Sequence, residues 1–387
     1  MKKDLLGWAL AGMLLAVSAG AAGAEEPIRI GHSVSLTGGS SMWGLAEQNA
    51  LDMLVEEINA AGGVLGRTLE LIHYDNRGDA VESVNVARRL VGDGVVAVIG
   101  PAQSGNSIAS APVFENAGIP MVVTTATNPA VTVDPSSGQV RPMAFRPCFI
   151  DPFQGTIAAQ FAFEDLKARR AAILYDVGSD YSQWLAKYFE EAFKVAGGTI
   201  VAQEAFRSEE LDYRAQLGRI KEQAPDVIFI PTMQKEAALA AKQARDLGIT
   251  AGLLGGDGWG SPDLMDLGGS AIDGGYFVNI TDLADPDIQK FLQAYREKFG
   301  ADPVLPNPVM AQDALLLLVD AMKRAGSTDG KALAAAMENT KDLPVTSGRL
   351  TMDPENHDPF NKPAVIQRVD VGQKAFVFVK KFEPGRN

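Results

Sequence analysis

Apolar residues along the chain recur in two alternating rhythms. Val95 to Ile99, Met121 to Val123 and Val227 to Ile230 are uninterrupted apolar runs, separated by stretches in which apolar residues return every three or four positions. The first rhythm predicts strands covered on both faces and the second predicts amphipathic helices. Their alternation nearly to the C-terminus predicts an α/β architecture with largely parallel sheets. Ile28 to Val34 reads as the first strand, and Ala46 to Ala60 as a helix carrying Leu51, Leu54, Val55 and Ile58 on one face. Gly62-Gly63 ends that helix, and Thr68 to Tyr74 forms the next strand.

This cassette recurs. A helix over Trp184 to Val195 stops at Gly197-Gly198 before a strand from Thr199 to Gln203, and Val227 to Ile230 with Pro231 echoes Val95 to Ile99 with Gly100-Pro101. Two similar lobes are expected, although generic α/β chains also look alike at this level. A third block comprises helices over Ile288 to Phe299 and Ala311 to Arg324, then two strands between Lys362 and Phe382. It is expected to return to the first lobe, joining the lobes by several crossings.

The segment Val95 to Pro129 reads as strand, Ser/Gly turn, short helix, second strand and Thr-rich turn. In an open parallel sheet, ligands lie beyond the carboxyl ends of the strands. Ser104 and Thr127 are therefore expected beside a small polar ligand. Read alone, Ser104 serves equally well as a helix N-cap.

Charge and targeting narrow the picture. Lys2 and Lys3, an apolar stretch from Leu5 to Val17 and the ending Ala22-Gly23-Ala24 read as a secretory signal cleaved after Ala24. The apolar stretch is too short to span a bilayer. Of 35 basic and 48 acidic residues, loss of Lys2, Lys3 and Asp4 leaves 33 and 47, a formal charge of −14. No basic run remains, so nucleic acid and anionic membranes are poor partners. The lone Cys148 rules out an internal disulfide and a cysteine metal cluster, and reads as a buried inert thiol.

Enzymatic signatures are scarce. Ile99-Gly100-Pro101-Ala102-Gln103-Ser104 is not the G-x-G-x-x-G dinucleotide fingerprint, and no P-loop lysine, HExxH or GxSxG occurs. His32, His73 and His357 are dispersed along the chain and read as structural. Neither cofactor nor metal is expected.

Taken in order, IRIGHSVSLTG, INAAGGVLGRTLELIHYDN, VVAVIGPAQSGNS, VTTATNP, LYDVGSDYSQW, PDVIFIPTMQKEAALAAKQARDLG and LLGGDGWGSPDL resemble the leucine/isoleucine/valine-binding family of periplasmic solute-binding proteins, from about Ile28 to Lys380. The resemblance implies a type I periplasmic binding fold: two doubly wound lobes joined by three hinge strands, closing on a ligand delivered to an ABC permease. It implies crossings near Arg146 to Phe149, Gly275 to Asn279 and Gly348 to Met352. Lobe I would comprise residues 27–146 and 279–348, and lobe II residues 149–275 and 352–387. The mature protein is expected to be a periplasmic monomer.

The resemblance also assigns a site. It implies that Ser104 and Thr127 hold an α-carboxylate, with the backbone carbonyl of Thr125 and the carboxylate of Asp257 taking an α-ammonium. On sequence alone Asp257 also reads as a turn aspartate. Tyr181 is implied near the ammonium and Trp43 over the ligand side chain, with Trp259 expected on a facing turn at the cleft. Met233 and Gln312 stand where branched-chain binders carry tyrosines, and Gln103 replaces a small residue. These departures make the side-chain end more polar. A branched-chain or other aliphatic amino acid is favoured; an amide, urea or aromatic acid, or service as a ligand sensor for a receptor, is the alternative.

Overall fold

The computed structural model describes residues 26–384 apart from 209, 304 and 361, so the expected signal segment lies outside the described residues. Strand β1 (Ile28–Val34) is followed by α1 (Ser41–Ala60), β2 (Leu69–Asp75), α2 (Ala80–Gly92), β3 (Ala97–Ile99), α3 (Ser104–Ala117), β4 (Met121–Val122) and β5 (Ala144–Phe145). These strands form one parallel sheet in the order β2-β1-β3-β4-β5. All three residues of β3 are buried, as its uninterrupted Ala-Val-Ile run requires of a strand covered on both faces.

The chain then crosses to a second unit. Helix α4 (Asp151–Gln160) leads to β6 (Arg170–Asp176), α5 (Asp180–Val195), β7 (Thr199–Phe206), α6 (Arg214–Glu222), β8 (Val227–Ile230), α7 (Gln234–Asp246), β9 (Gly252–Gly255), α8 (Asp263–Gly268) and β10 (Tyr276–Asn279). Helix α5 starts where Ser179 accepts from the Ser182 backbone N–H, an N-cap. The sheet order is β14-β13-β10-β9-β8-β6-β7, in which β13 (Ala364–Asp370) and β14 (Ala375–Phe382) form an antiparallel hairpin at one edge.

Between these parts lie α9 (Gln289–Phe299), α10 (Asn307–Ala325), α11 (Gly330–Glu338) and a small hairpin of β11 (Leu343–Val345) and β12 (Gly348–Leu350). Helix α10 returns to the first sheet: Ala311, Leu315, Leu318 and Met322 share a core with Ile30, Leu51 and Ile99. The expected crossing at Gly275 to Asn279 differs in detail. Tyr276–Asn279 pairs with both β9 and β13, so it is an interior strand of the second sheet and the crossing begins after it. Among the described residues no helix is long and apolar enough to cross a membrane.

The first crossing is held by a buried arginine. Arg146 donates to the carbonyls of Ala126 (2.7 Å) and Asn128 (2.9 Å) and to the Thr132 hydroxyl (2.8 Å), and its Nε ion-pairs with Asp358 at 2.5 Å. A buried guanidinium is tolerable only when paired and hydrogen-bonded in this way.

Candidate functional site

A cavity of about 100 Å³ opens between the carboxyl ends of the two sheets, lined by α1, the turns after β3 and β4, and the turns before α5, α7 and α8. The lobes touch around it: Asn128 donates to the Asp180 carbonyl at 3.1 Å, and Ser261 contacts the Met42 sulfur at 3.6 Å. Close approach of backbone shapes the walls. A Cβ on Gly44 would stand 2.0 Å from the Ser35 carbonyl oxygen, and one on Gly256 would stand 2.3 Å from Gln154 Oε1 and 2.5 Å from the Tyr181 hydroxyl. Only glycine lets α1 reach the end of β1 and lets the Asp257 turn reach α4 and α5.

Seven of the nine residues expected at the site line this cavity: Trp43, Gln103, Ser104, Thr125, Tyr181, Met233 and Asp257. Ser104 is the first residue of α3, with Gln103 as its N-cap, and the Ser104 hydroxyl accepts from the Asn128 N–H at 3.3 Å. Ser104 is therefore not the cap itself. Gln103 bridges the cavity lip, donating to Ser40 at 2.9 Å and accepting from Asn106 at 2.8 Å. Thr125 spends its hydroxyl on the Ala102 carbonyl at 3.2 Å, tying the two first-lobe turns together.

Three expectations need correction. Thr127 is fully buried but lies behind the lining, where its carbonyl accepts from the Asp151 N–H at 2.9 Å. Gln312 is away from the cavity, because α10 presents it to α1: it donates to the Ala50 carbonyl and accepts from the Thr346 hydroxyl, both at 3.1 Å. Trp259 is core, not cleft. It is fully buried, and its indole N–H donates to the Ile230 carbonyl at 3.0 Å.

On the second lobe, Tyr181 donates to Asp257 Oδ1 at 2.8 Å and accepts from the Gly258 N–H at 3.2 Å, while the Asp257 N–H donates to Gln154 at 2.9 Å. Burial pushes the Asp257 carboxyl up to about 6, against the pull of the Tyr181 bond, and drives the Tyr181 phenol well above its ordinary value. Behind it sits Asp151, fully buried, whose two carboxylate oxygens lack partners; Thr127 Oγ1 and Gln154 Nε2 are also unpartnered. Burial pushes Asp151 up to about 8, with Asp257 adding to the rise and Thr127 and Arg146 opposing it. Asp257 and Asp151 thus form a pair of buried carboxyls on the second-lobe side of the cavity.

The sequence reading passed over Glu47 and Asp151. Glu47 lines the cavity at zero exposure, accepting from Thr124 (2.7 Å) and Asn307 (3.1 Å). Its signal was available: it is a single charge on the face of α1 that carries Trp43, Ala50, Leu51 and Leu54. Asp151 gave no comparable signal, since an acidic first residue followed by proline is an ordinary helix start. Cys148 is fully buried, and burial pushes its thiol up to about 12. Among the described residues no cluster of His, Cys, Asp and Glu is arranged to hold a metal ion.

Two sheets with a cleft across the carboxyl ends of their parallel strands define a bilobal binding protein, and residues 27–374 match the family described as periplasmic binding protein. The chain belongs to that family. It is 32% identical to the Leu/Ile/Val-binding protein BraC3 of Rhizobium johnstonii over 330 residues, 85% of this chain and 88% of the relative. Among solved structures, it resembles a leucine-binding protein LivK from Thermotoga maritima with TM-score 0.85 and 35% identity, covering 92% of this chain and 99% of that one. LivJ from Streptococcus pneumoniae in complex with isoleucine matches with TM-score 0.82 and 30% identity, covering 92% and 100%.

Proposed function

We propose that the protein is a periplasmic solute-binding protein that captures a small amino acid, branched-chain or otherwise aliphatic, by closure of its lobes and hands it to an ABC permease. The observation that carries this reading is the pairing of opposite poles in one cavity. On the first lobe, the N-terminus of α3 and the Ser104 hydroxyl suit a carboxylate, because unpaired backbone N–H groups at a helix start stabilise an anion without a buried counter-charge. On the second, Asp257 braced by Tyr181, with Asp151 behind it, suits an ammonium. Trp43 and Met233 provide apolar walls for an aliphatic side chain. The names of the relatives favour leucine, isoleucine or valine over other amino acids.

Holding, not conversion, is what this lining supports: hydroxyls and carboxylates face the cavity without a nucleophile paired to a base. The deciding experiment is calorimetry with leucine, isoleucine and valine. At least one should bind the purified protein, and prolonged incubation should return it intact. Absence of binding to all three, together with a different solute released from protein purified from its native periplasm, overturns the aliphatic reading.

A further inference from the structure

Four titratable side chains run in a line from the cavity wall to the surface. His32 on β1 and His73 on β2 are register partners, and their Nδ1 atoms face each other at 2.8 Å. At the outer end, His73 Nε2 meets Asp52 Oδ1 at 3.0 Å, where Asp52 has a side chain 43% exposed. At the inner end, His32 Nε2 stands 3.6 Å from Glu47 Oε2, and neither atom has a hydrogen-bond partner although both are buried.

Proton counting gives this line its meaning. Three contacts join the four groups, and each needs one proton; ionised carboxylates only accept, and a neutral imidazole carries one N–H. Two neutral rings therefore supply two protons for three contacts. With His73 Nε2–H on Asp52 and His32 Nδ1–H on His73, the bare His32 Nε2 is left against the bare Glu47 Oε2. That is the 3.6 Å contact, while the other two have hydrogen-bond lengths.

We propose that the gap between Glu47 and His32 is a proton-binding site coupled to the ligand cavity. A proton taken from solvent adds to His32 Nε2 and makes it a donor to Glu47; one N–H forms and no other bond changes. Glu47 transmits the step, because its other oxygen accepts from Thr124 and from Asn307, and Asn307 Nδ2 also donates to the Trp43 carbonyl at 2.8 Å. Trp43 and Glu47 both line the cavity. The charges acting on His32 are Glu47 and Asp52 from α1 and His73 from β2. On its other side β3 offers Ala97, Val98 and Ile99, and α10 contributes the neutral Asn307. Burial lowers the proton affinity of His32 below that of an ordinary imidazole, with Glu47 opposing, so the site fills on the acid side of neutral.

The consequence for ligand retention rests on the cavity being the binding site, but the test uses ligand-free protein and so fails independently of that reading. Only three histidines occur in the chain, and His357, stacked on Phe145 and bonded to the Ala144 carbonyl, serves as an internal reference. Imidazole nitrogen NMR at neutral pH should show complementary tautomers, Nδ1–H on His32 and Nε2–H on His73. Acidification should protonate His32 Nε2 with a midpoint below 6.5, and the Trp43 indole resonance should move with the same midpoint. Glu47→Gln supplies an N–H to the gap and should abolish the step at both reporters. Asp52→Asn, at the part-exposed end, should shift the midpoint to lower pH. Identical tautomers in the two rings, independent titrations, or a Trp43 signal indifferent to the His32 midpoint overturns the proposal.

Discussion

Tyr181 and Asp257 come from segments 76 residues apart, yet the phenol donates to the carboxylate at 2.8 Å inside the wall that faces the first lobe. The phenol fixes the carboxylate's direction without neutralising it. Asp257→Ala should lower affinity for an amino acid by about 2–5 kcal/mol, since the ligand ammonium is then buried unpaired. Tyr181→Phe keeps the charge but loses the bonds to Asp257 and from the Gly258 N–H, and should cost less, about 1.5–3 kcal/mol. Calorimetry on both variants checks the order; unchanged binding in Asp257→Ala excludes an ammonium at this wall.

The raised carboxyls give a pH dependence with a definite sign. Asp257 and Asp151 hold protons up to about 6 and about 8 in the folded chain, against an ordinary 3.8. In the ligand-free protein the contribution of these two carboxyls to stability is therefore complete below 3.8 and is lost as pH rises through those values. An ammonium reverses the preference, favouring the ionised forms, so binding releases protons and affinity should fall as pH drops below about 6. Thermal melts with and without ligand between pH 5 and pH 8 should diverge toward the alkaline end. A ligand-induced shift that is constant across this range would show that these carboxyls do not meet the ligand.

Arg146 is the buried cation of the first crossing, and Arg146→Met strands Asp358 and three acceptors. We expect a loss of about 3–5 kcal/mol on unfolding in denaturant, typical of breaking a buried pair. Double replacement with Asp358→Leu should recover part of it. No recovery would mean that the carbonyl bonds, rather than the ion pair, dominate.

Two of the tryptophans report different things. Trp43 lines the cavity, whereas Trp259 is sealed in the second core. Ligand-induced fluorescence change should vanish in Trp43→Phe and survive in Trp259→Phe. The reverse pattern would contradict the placement of Trp43 on α1 and of Trp259 in its turn.

Closure is checked by small-angle scattering, because groups on both lobes must converge on one ligand. A saturating amino acid should reduce the radius of gyration. An unchanged profile with proven binding would mean that the cavity forms without hinge motion.

The architecture was legible because it is written redundantly. Val95 to Ile99 and Val227 to Ile230 admit few alternatives to central strands, and the Gly-Gly stops recur at matching places. The return of α10 to the first sheet was legible as a remainder that fitted neither lobe. What escaped depended on side-chain direction. Gln312 lies one position from Ala311, whose face packs the first core, and no local pattern tells whether the next residue faces a cleft or a neighbouring helix. Trp259 is two residues from Asp257, but its short 3-10 turn sends the indole inward as the carboxylate points to the cavity. Glu47 was legible as a lone charge on an apolar helix face but not as part of a site, because Thr124 and Asn307, which bond it, come from distant segments, and Asp151 looked like an ordinary helix start.

The guanidinium of Arg146 grips the carbonyls on either side of Thr127 while holding Asp358 on the returning segment. That side chain thus ties the turn after β4, the first crossing and the returning segment into one joint. If the cavity holds the solute as proposed, Met233, Gln103 or Trp43 can vary without touching that joint, whereas a change at Arg146 disturbs the turn after β4 and the crossing together. On that reading, selectivity and motion are open to change at different rates.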